Sequence, residues 1–319
     1  MSSDASKVEL SLAIPCYNEE AVLDIFVARI REILDPLNLP YELVFVDDGS
    51  SDNTLEKLKG FRSNDRRIKI LAFSRNFGKE PALSAALQHC TGNAIVPIDA
   101  DLQEPPELIP EMLKLWREGY EVVTAQRSSR DSDSFTKRFT AQWFYRVFNM
   151  ISSTRLPYDT GDYRLMDRKV VEAFKGISER NRFMKGIFAW LGFKQTSVTF
   201  KREERSAGNS KFGFKKLLGF AIRSIFAFSS QPLRFLSYMG VLFSVAAFSY
   251  ASFLLIRTLA FGRDVPGYAS LMVAILFMGG VQLIGLGVLG EYLGHIYDEV
   301  KRRPLFIIRE SHGIETHLK

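Results

Sequence analysis

The sequence predicts an α/β protein with a doubly wound, mostly parallel sheet, followed by two helices that cross a membrane. Five apolar runs alternate with helical patterns at spacings of 26 to 32 residues, as in a parallel sheet covered by helices. Later, residues 235–256 and 265–290 contain no Asp, Glu, Lys or Arg. Each stretch is longer than the ~20 residues that a helix needs to cross a bilayer.

The five apolar runs are the predicted strands of the sheet. They are continuous rather than alternating, which is typical of parallel strands that are buried on both faces. They comprise LSLAIP (10–15), ELVFVD (42–47), IKILAF (68–73), AIVPID (94–99) and EVVTAQ (121–126). Helical patterns separate them, at 19–34, 51–62, 79–90 and 106–118. The third helix opens with Lys-Glu-Pro, which suits a first turn with proline near its start.

The pattern changes after residue 130. Residues 134–151 carry apolar and aromatic residues on one face, which suits either a helix at a membrane surface or an ordinary packing helix. Residues 159–174 indicate a turn followed by a helix, and residues 195–205 an outlying strand. Residues 211–228 are basic, Phe-rich and amphipathic, which favours an interfacial helix before the first membrane span.

Charge places the soluble part of the chain on the cytoplasmic side. The N-terminus is polar and shows no apolar signal core. Many lysines and arginines flank the two spans on their outer sides, whereas the connecting loop has only Arg257 and Arg263, so the positive-inside rule puts both ends in the cytoplasm. The net charge of +6 favours anionic lipid or a phosphate ligand over nucleic acid. Cys16 and Cys90 are expected to be reduced core residues.

Acidic residues follow the predicted strands, where an open α/β sheet binds its ligands. Asp99 and Asp101 end the fourth strand, and residues i and i+2 of a strand point the same way, so the two carboxylates are expected to converge on one cation. Hard oxygen ligands suit Mg²⁺ or Mn²⁺. Asp47 and Asp48 end the second strand and Glu19 follows the first. Neither a G-x-G-x-x-G fingerprint after the first strand nor a P-loop motif is present.

Five motifs carry a specific resemblance. PCYNEE, VFVDDGSSDNT, SRNFGKEPAL, IDADLQEPPE and DTGDYRLMDRKV occur in this order and resemble glycosyltransferase family 2, whose catalytic domain has the Rossmann-like GT-A fold. The two spans and the segment REERSAGNSKFGFKKL narrow the resemblance to polyisoprenyl-phosphate glycosyltransferases of the GtrB type, relatives of dolichol-phosphate mannose synthase. The resemblance extends from about residue 8 to residue 305.

The resemblance implies which residues bind the nucleotide sugar and the metal. The nucleotide-sugar residues are Pro15, Tyr17, Asn18, Glu19, Val46, Asp48, Ala100, Arg205, Ser210 and Lys211. Asp47 is either part of this set or structural. Gln103 joins Asp99 and Asp101 in a metal-binding D-x-D-x-Q motif, with a loop-capping amide as the other interpretation. The expected cofactor is Mg²⁺ or Mn²⁺, which would neutralise charge on the departing diphosphate.

The resemblance also implies an inverting reaction with a lipid acceptor. Asp162 corresponds to the base of related enzymes, and Asp159 is the second candidate. Because a lipid monophosphate is already ionised near pH 7, its second pKa being ~6, Asp162 could instead orient the acceptor or support the sugar. Arg127 and Arg138 are expected to bind the acceptor phosphate, although each basic residue also fits a solvated surface.

The predicted function is transfer of a hexose, with glucose from UDP-glucose as the first choice, to undecaprenyl phosphate for surface polysaccharide modification. Another sugar, such as N-acetylglucosamine or mannose, and a non-catalytic scaffold or flippase subunit are the alternatives. A processive polysaccharide synthase would carry Q-x-x-R-W and more spans, and a nucleotidyltransferase would not need the spans. We expect a multi-pass protein of the inner membrane and a homo-oligomer, by resemblance a tetramer.

The predicted domains follow from these elements. Residues 1–210 form the cytoplasmic GT-A domain, residues 211–232 the juxtamembrane helices, residues 233–300 the two transmembrane helices and residues 301–319 a cytoplasmic tail.

Overall fold

A computed structural model of the chain describes residues 8–127, 160–177, 179, 184–200, 231–261 and 267–314. Its strands are β1 (Leu10–Cys16), β2 (Tyr41–Asp47), β3 (Ile68–Phe73), β4 (Ala94–Pro97), β5 (Val122–Arg127), β6 (Thr160–Asp167), β7 (Gln195–Phe200) and β8 (Ile308–His312). Its helices are α1 (Leu23–Leu34), α2 (Thr54–Asn64), α3 (Lys79–His89), α4 (Ile109–Arg117), α5 (Arg168–Lys175), α6 (Met184–Leu191), α7 (Gln231–Phe261) and α8 (Tyr268–Lys301). The predicted helices at 134–151 and 211–228 lie outside the described residues.

The described strands form one mixed sheet in the order β7-β5-β6-β4-β1-β2-β3-β8. Strands β4, β1, β2 and β3 are mutually parallel, with Leu10 opposite both Tyr41 and Ala94. Residues on both faces of β1 are fully buried, among them Leu12 and Ala13. This burial explains the continuous apolar runs, and the predicted α/β, mostly parallel architecture is confirmed.

Strand β6 corrects the prediction of a turn at the start of residues 159–174. It lies between β4 and β5 and is antiparallel to both, with Asp167 opposite Ala94. Tyr163 and Leu165 are buried in the core, but Arg164 between them is a charged residue that is also buried. Because this charge interrupts the apolar run, the segment lacks the continuous pattern that identified the parallel strands.

Strand β8 is an element that the sequence did not predict. It lies within residues 301–319 and pairs antiparallel with the outer edge of β3. Two compact units are present, and residues 303–314 belong to the same unit as strands β1 to β7. The sheet is therefore completed by residues that follow the second long helix.

The second unit contains α7 and α8. Each includes a segment long and apolar enough to cross a membrane: Leu233–Phe253 has a mean hydropathy of 1.4 and Ser270–Lys301 of 2.2. Neither segment is buried within the described structure. The rings of Phe243 and Phe277 meet edge to face, with their centroids 5.8 Å apart. Both predicted spans are therefore helical, and their apolar side chains face outward as a bilayer requires.

Candidate active site

A cavity of about 250 Å³ opens at the carboxyl ends of the parallel strands. Its walls come from the segments that follow β1, β2, β3 and β4, which meet at this edge because the strands are parallel. The sequence-predicted residues that line it are Pro15, Tyr17, Glu19, Asp48, Asp99, Ala100 and Asp101. Asn18, Val46, Gln103 and Asp162, which the structure also describes, do not line it.

The segment after β1 is fixed to the segment after β2 by hydrogen bonds. Asn18 adopts a left-handed conformation (φ 54°), and its side-chain Oδ1 accepts from the Ser51 N–H at 2.8 Å. The Asn18 N–H donates to the Ser50 hydroxyl at 2.9 Å, and the Glu19 N–H to the Thr54 hydroxyl at 2.9 Å. Asn18 therefore joins two walls and does not itself line the cavity.

Residues at the end of β2 divide into structural and cavity-lining groups. Val46 is fully buried inside the sheet. Asp47 is buried and accepts the Ser50 N–H at 3.3 Å, a contact that closes the turn. Asp48 lines the cavity, and its carboxylate accepts the N–H groups of Phe77 at 2.7 Å and Gly78 at 2.9 Å. A carboxylate has about four acceptor sites, so Asp48 retains capacity for a ligand.

Asp99 and Asp101 reach the cavity from a turn. Strand β4 ends at Pro97, so the expectation that alternation along a strand aligns the two carboxylates is wrong. The turn after β4 brings both to the cavity wall instead. Gln103 contacts Asp101 twice, through its backbone N–H at 3.1 Å and its side-chain Nε2 at 2.5 Å. In this arrangement Gln103 orients Asp101.

Lys79 is a residue of the site whose sequence context indicates only the start of a helix. Its ammonium lies 2.6 Å from Asp99 Oδ2 and 3.6 Å from Asp162 Oδ2. Burial lowers the pKa of Lys79, but the carboxylates of Asp99 and Asp162 outweigh burial and raise that pKa above its ordinary value. Lys79 is therefore a charged link between the turn after β4 and strand β6.

Carboxyl groups are concentrated around this lysine. Burial raises the pKa of Asp99, and Lys79 opposes that effect. Burial and the charge of Asp99 raise the pKa of Glu104 to about 8, and the Glu104 carboxyl accepts the Asp99 N–H at 3.4 Å. Among the residues that the structure describes, the carboxyl groups of Asp99, Asp101 and Asp162 surround the single Lys79 ammonium, which favours binding of a further cation.

The donor set fits a divalent cation that arrives with a diphosphate. Among the residues that the structure describes, no three His, Cys, Asp or Glu side chains gather as a complete metal shell. Mg²⁺ commonly takes one or two protein carboxylates and completes its shell with water and phosphate oxygens. Asp99 and Asp101 supply such a pair on one wall of the cavity.

Strand β6 carries Asp162 toward this cluster. The buried Arg164 donates to the carbonyl oxygen of Gly161 at 2.8 Å, and its guanidinium lies 4.8 Å from the ring centre of Phe188. These contacts hold the start of the strand and thereby the backbone of Asp162. Asp162 can be selected from the sequence alone, whereas strand β6 and Arg164, which position it, cannot.

Cys16 lines the cavity as a free, buried thiol. Burial and the nearby carboxylate of Glu19 raise the pKa of this thiol well above its ordinary value. A protonated thiol is a weak nucleophile, so Cys16 is a packing residue.

The remaining predicted residues lie at the end of β5 or outside the described part of the chain. Arg127 is the last residue of β5, opposite Phe200 of β7. Asp159, Arg138, Arg205, Ser210 and Lys211 lie outside the described residues.

Replacing Lys79 by methionine is expected to strengthen binding of Mn²⁺ to the purified chain by about tenfold. The ammonium of Lys79 competes with a cation for Asp99, so its removal leaves the carboxylates without a counter-charge. A tenfold change in Mn²⁺ affinity is within the range of charge interactions at an effective dielectric constant near 20. Electron paramagnetic resonance titration of free Mn²⁺ measures the affinity. Lys57→Met is the matched control, because Lys57 pairs with Asp24 outside the cavity. Unchanged or weaker Mn²⁺ binding by Lys79→Met would contradict this assignment of charge.

Comparison with known proteins identifies the family. Residues 11–174 match the family described as Glycosyl transferase family 2, and residues 231–296 match the GtrB C-terminal hairpin. The first range includes the cavity, and the second includes most of α7 and α8.

Curated relatives match over nearly the whole chain. An uncharacterized glycosyltransferase of Synechocystis sp. is 54% identical, covering 97% of each chain. The SfII prophage-derived bactoprenol glucosyl transferase of Shigella flexneri is 47% identical, covering 96% of this chain and 99% of the relative. Among solved structures, glucosyl-3-phosphoglycerate synthase from Mycobacterium tuberculosis is similar with a TM-score of 0.47 and 18% identity, covering 69% of this chain and 76% of that one.

The match to glycosyltransferase family 2 covers residues 11–174, and the residues that line the acidic cavity lie within this range. The resemblance proposed from the motifs is thereby confirmed. The chain belongs to glycosyltransferase family 2, and it is a glycosyltransferase with the GtrB type of C-terminal hairpin.

Proposed function

We propose that the chain transfers glucose from UDP-glucose to the phosphate of undecaprenyl phosphate, with inversion at the anomeric carbon and with Mg²⁺ or Mn²⁺ as cofactor. The observation that carries this proposal is the 47% identity to a bactoprenol glucosyl transferase, which extends through both the cavity and the helical hairpin. The product is a polyprenyl-phosphate sugar for modification of surface polysaccharide.

The cavity supports binding of a nucleotide diphosphate sugar. Carboxylates of Glu19 and Asp48 line it and can accept from a uracil N–H or a ribose hydroxyl. Asp99 and Asp101 would hold the divalent cation, which when bound neutralises charge on the departing diphosphate. Ala100 between them lines the cavity without adding charge.

The reaction joins an acceptor phosphate oxygen to the anomeric carbon of glucose. The bond from that carbon to the UDP oxygen breaks, and its electron pair leaves with the diphosphate. Attack from the opposite face inverts the configuration. Because the acceptor phosphate is ionised near pH 7, its second pKa being ~6, no proton has to be removed. Asp162, held beside Lys79, then orients the reacting groups.

Residues from later in the chain belong to the same proposal. Arg127 and Arg138 bind the acceptor phosphate, and Arg205, Ser210 and Lys211 close over the donor diphosphate. Arginine's planar fork suits phosphate oxygens. The roles of Arg127 and Arg138 rest on the resemblance to dolichol-phosphate mannose synthase. Those of Arg205, Ser210 and Lys211 rest on their place in the segment REERSAGNSKFGFKKL.

The catalytic unit is proposed to face the cytoplasm at the inner membrane. Positive charge at the outer ends of the two spans supports this orientation. The pairing of β8 with β3 supports it too, because segments before and after the hairpin share one sheet and therefore one side of the membrane. A homo-oligomer, expected as a tetramer, belongs to the same proposal.

A lipid-extraction assay tests this function. The full chain in detergent is incubated with Mg²⁺, undecaprenyl phosphate and radiolabelled UDP-glucose, and the organic phase is counted. We expect label in the organic phase, lost when the lipid is omitted or when EDTA is added. Parallel reactions contain UDP-N-acetylglucosamine and GDP-mannose as donors.

The donor panel separates the alternatives. Transfer from another donor alone would overturn the glucose assignment while retaining the lipid acceptor. No label from any donor would overturn the transferase proposal and favour a non-catalytic membrane scaffold.

A further inference from the structure

The segment after the second long helix reaches the wall of the cavity. Beyond Lys301 the chain joins the sheet as β8, with Ile308 opposite Phe73 and His312 opposite Ile70. The contact between the two segments continues beyond the end of β3, because the Ser74 N–H donates to the Ile307 carbonyl oxygen at 3.0 Å. Ser74 begins the loop Ser74–Gly78, which joins β3 to α3.

Aromatic rings extend this contact into the loop. The ring of Phe306 stacks on Phe73 with the centroids 5.0 Å apart and the planes 9° from parallel. The buried Phe73 ring also meets Phe77 edge to face, at 5.6 Å between centroids. Phe73 therefore links Phe306, from the end of the chain, to Phe77 in the loop.

The loop is in turn part of the cavity. The N–H groups of Phe77 and Gly78 donate to the carboxylate of Asp48, and Asn76, Gly78 and Asp48 all line the cavity. The loop also packs tightly on the turn after β2, since a Cβ on Gly49 would lie 2.5 Å from the Arg75 carbonyl carbon. A shift of the loop would therefore move both the N–H groups that donate to Asp48 and one wall of the cavity.

We propose that Phe306 is a positioning residue for the nucleotide of the donor. Phe306 stacks on Phe73, which in turn contacts Phe77, and it thereby holds the loop at residues 74–78 in the arrangement that Asp48 and the cavity require. This inference rests on the proposed function, because it assumes that the cavity binds the nucleotide. It assigns a binding role to a segment that lies beyond both membrane helices.

The expected effect follows from preorganisation. If the loop holds its binding-competent arrangement for only about a tenth of the time without Phe306, apparent donor affinity falls about tenfold. The acceptor and the chemical step do not depend on that equilibrium once the donor is bound. Phe306→Ala is therefore expected to raise the KM for UDP-glucose about tenfold, with kcat and the acceptor KM within twofold of the unmodified chain.

Ile307→Ala is the matched control. Ile307 is the neighbouring residue, it is 54% exposed, and its hydrogen bond to Ser74 uses only the backbone. Phe306→Tyr keeps the stacked ring and is expected to restore the donor KM. The control, Ile307→Ala, is expected to leave the KM for UDP-glucose and the KM for the lipid acceptor unchanged.

Calorimetric titration of UDP into the full chain gives a readout that does not require transfer. A tenfold weaker UDP affinity for Phe306→Ala, with Ile307→Ala unchanged, supports the proposal. Equal UDP affinity in all variants overturns it, and so does a fall in kcat with both KM values unchanged, which indicates loss of folded protein. Failure of the unmodified chain to transfer glucose while it binds UDP would count against the proposed function and leave this comparison intact.

Discussion

Replacing Asp101 by alanine is expected to lower the turnover number for lipid glucosylation by about a thousandfold. Removal of one group that stabilises developing charge at an active site typically costs a hundredfold to a thousandfold. Asp101 lines the cavity, and the Gln103 side chain and backbone both orient it. Initial rates at saturating UDP-glucose, measured over a Mg²⁺ titration, give the effect.

Asp24→Ala is the control for the loss of one carboxylate. Asp24 lies on α1, its side chain is 63% exposed, and it pairs with Lys57. We expect its turnover and Mg²⁺ dependence to match those of the unmodified chain. Retention of more than a tenth of the turnover by Asp101→Ala, with the same Mg²⁺ dependence, would remove Asp101 from the metal site.

Asp162→Asn is expected to reduce kcat by about a hundredfold and to leave the shape of the pH profile unchanged. Misplacement of a reacting group by about 1 Å can cost this much, and Asp162 is anchored through Lys79 at 3.6 Å and through the backbone contacts of Arg164. The acid limb of the profile comes from the second ionisation of the acceptor, near pH 6. Turnover numbers of both proteins, measured between pH 5 and 8, give the two pH profiles.

The pH profile separates orientation from proton removal. If Asp162 takes a proton in the reaction, the acid limb belongs to its carboxylate and disappears in Asp162→Asn. If Asp162 orients the reacting groups, the limb stays near pH 6 in both proteins. Asp162→Glu keeps the charge and is the control for loss of the carboxylate.

The parallel part of the sheet could be predicted because burial on both faces leaves a continuous apolar signal. That signal identified β1 to β5 within a few residues of their bounds. Strand β6 was missed because Arg164 is a buried charge, whose compensation by the Gly161 carbonyl and the Phe188 ring depends on the fold. Strand β8 was missed because an edge strand with the sequence IRESH has no apolar run.

The acidic residues of the site could be predicted because carboxylates at strand ends do not belong in an apolar core. The contacts that these residues make with one another could not be predicted. Lys79 looks like an ordinary first-turn residue of α3, and its partners, Asp99 and Asp162, lie far away along the chain. Contacts between distant segments leave no local pattern. Gln103 stands two residues after Asp101 in the sequence, but its hydrogen bonds to Asp101 are visible only in the structure.

The pairing of β8 with β3 also sets an order for biosynthesis. Ile70 leaves the ribosome long before its partner His312, with both long helices made in between. At roughly 5–20 residues per second, the outer edge of β3 remains unpaired for roughly 10–50 s. Unpaired strand edges bind other chains readily, so the nascent chain passes through an interval of exposure to aggregation. The catalytic sheet reaches its final width only after the hairpin has been translated.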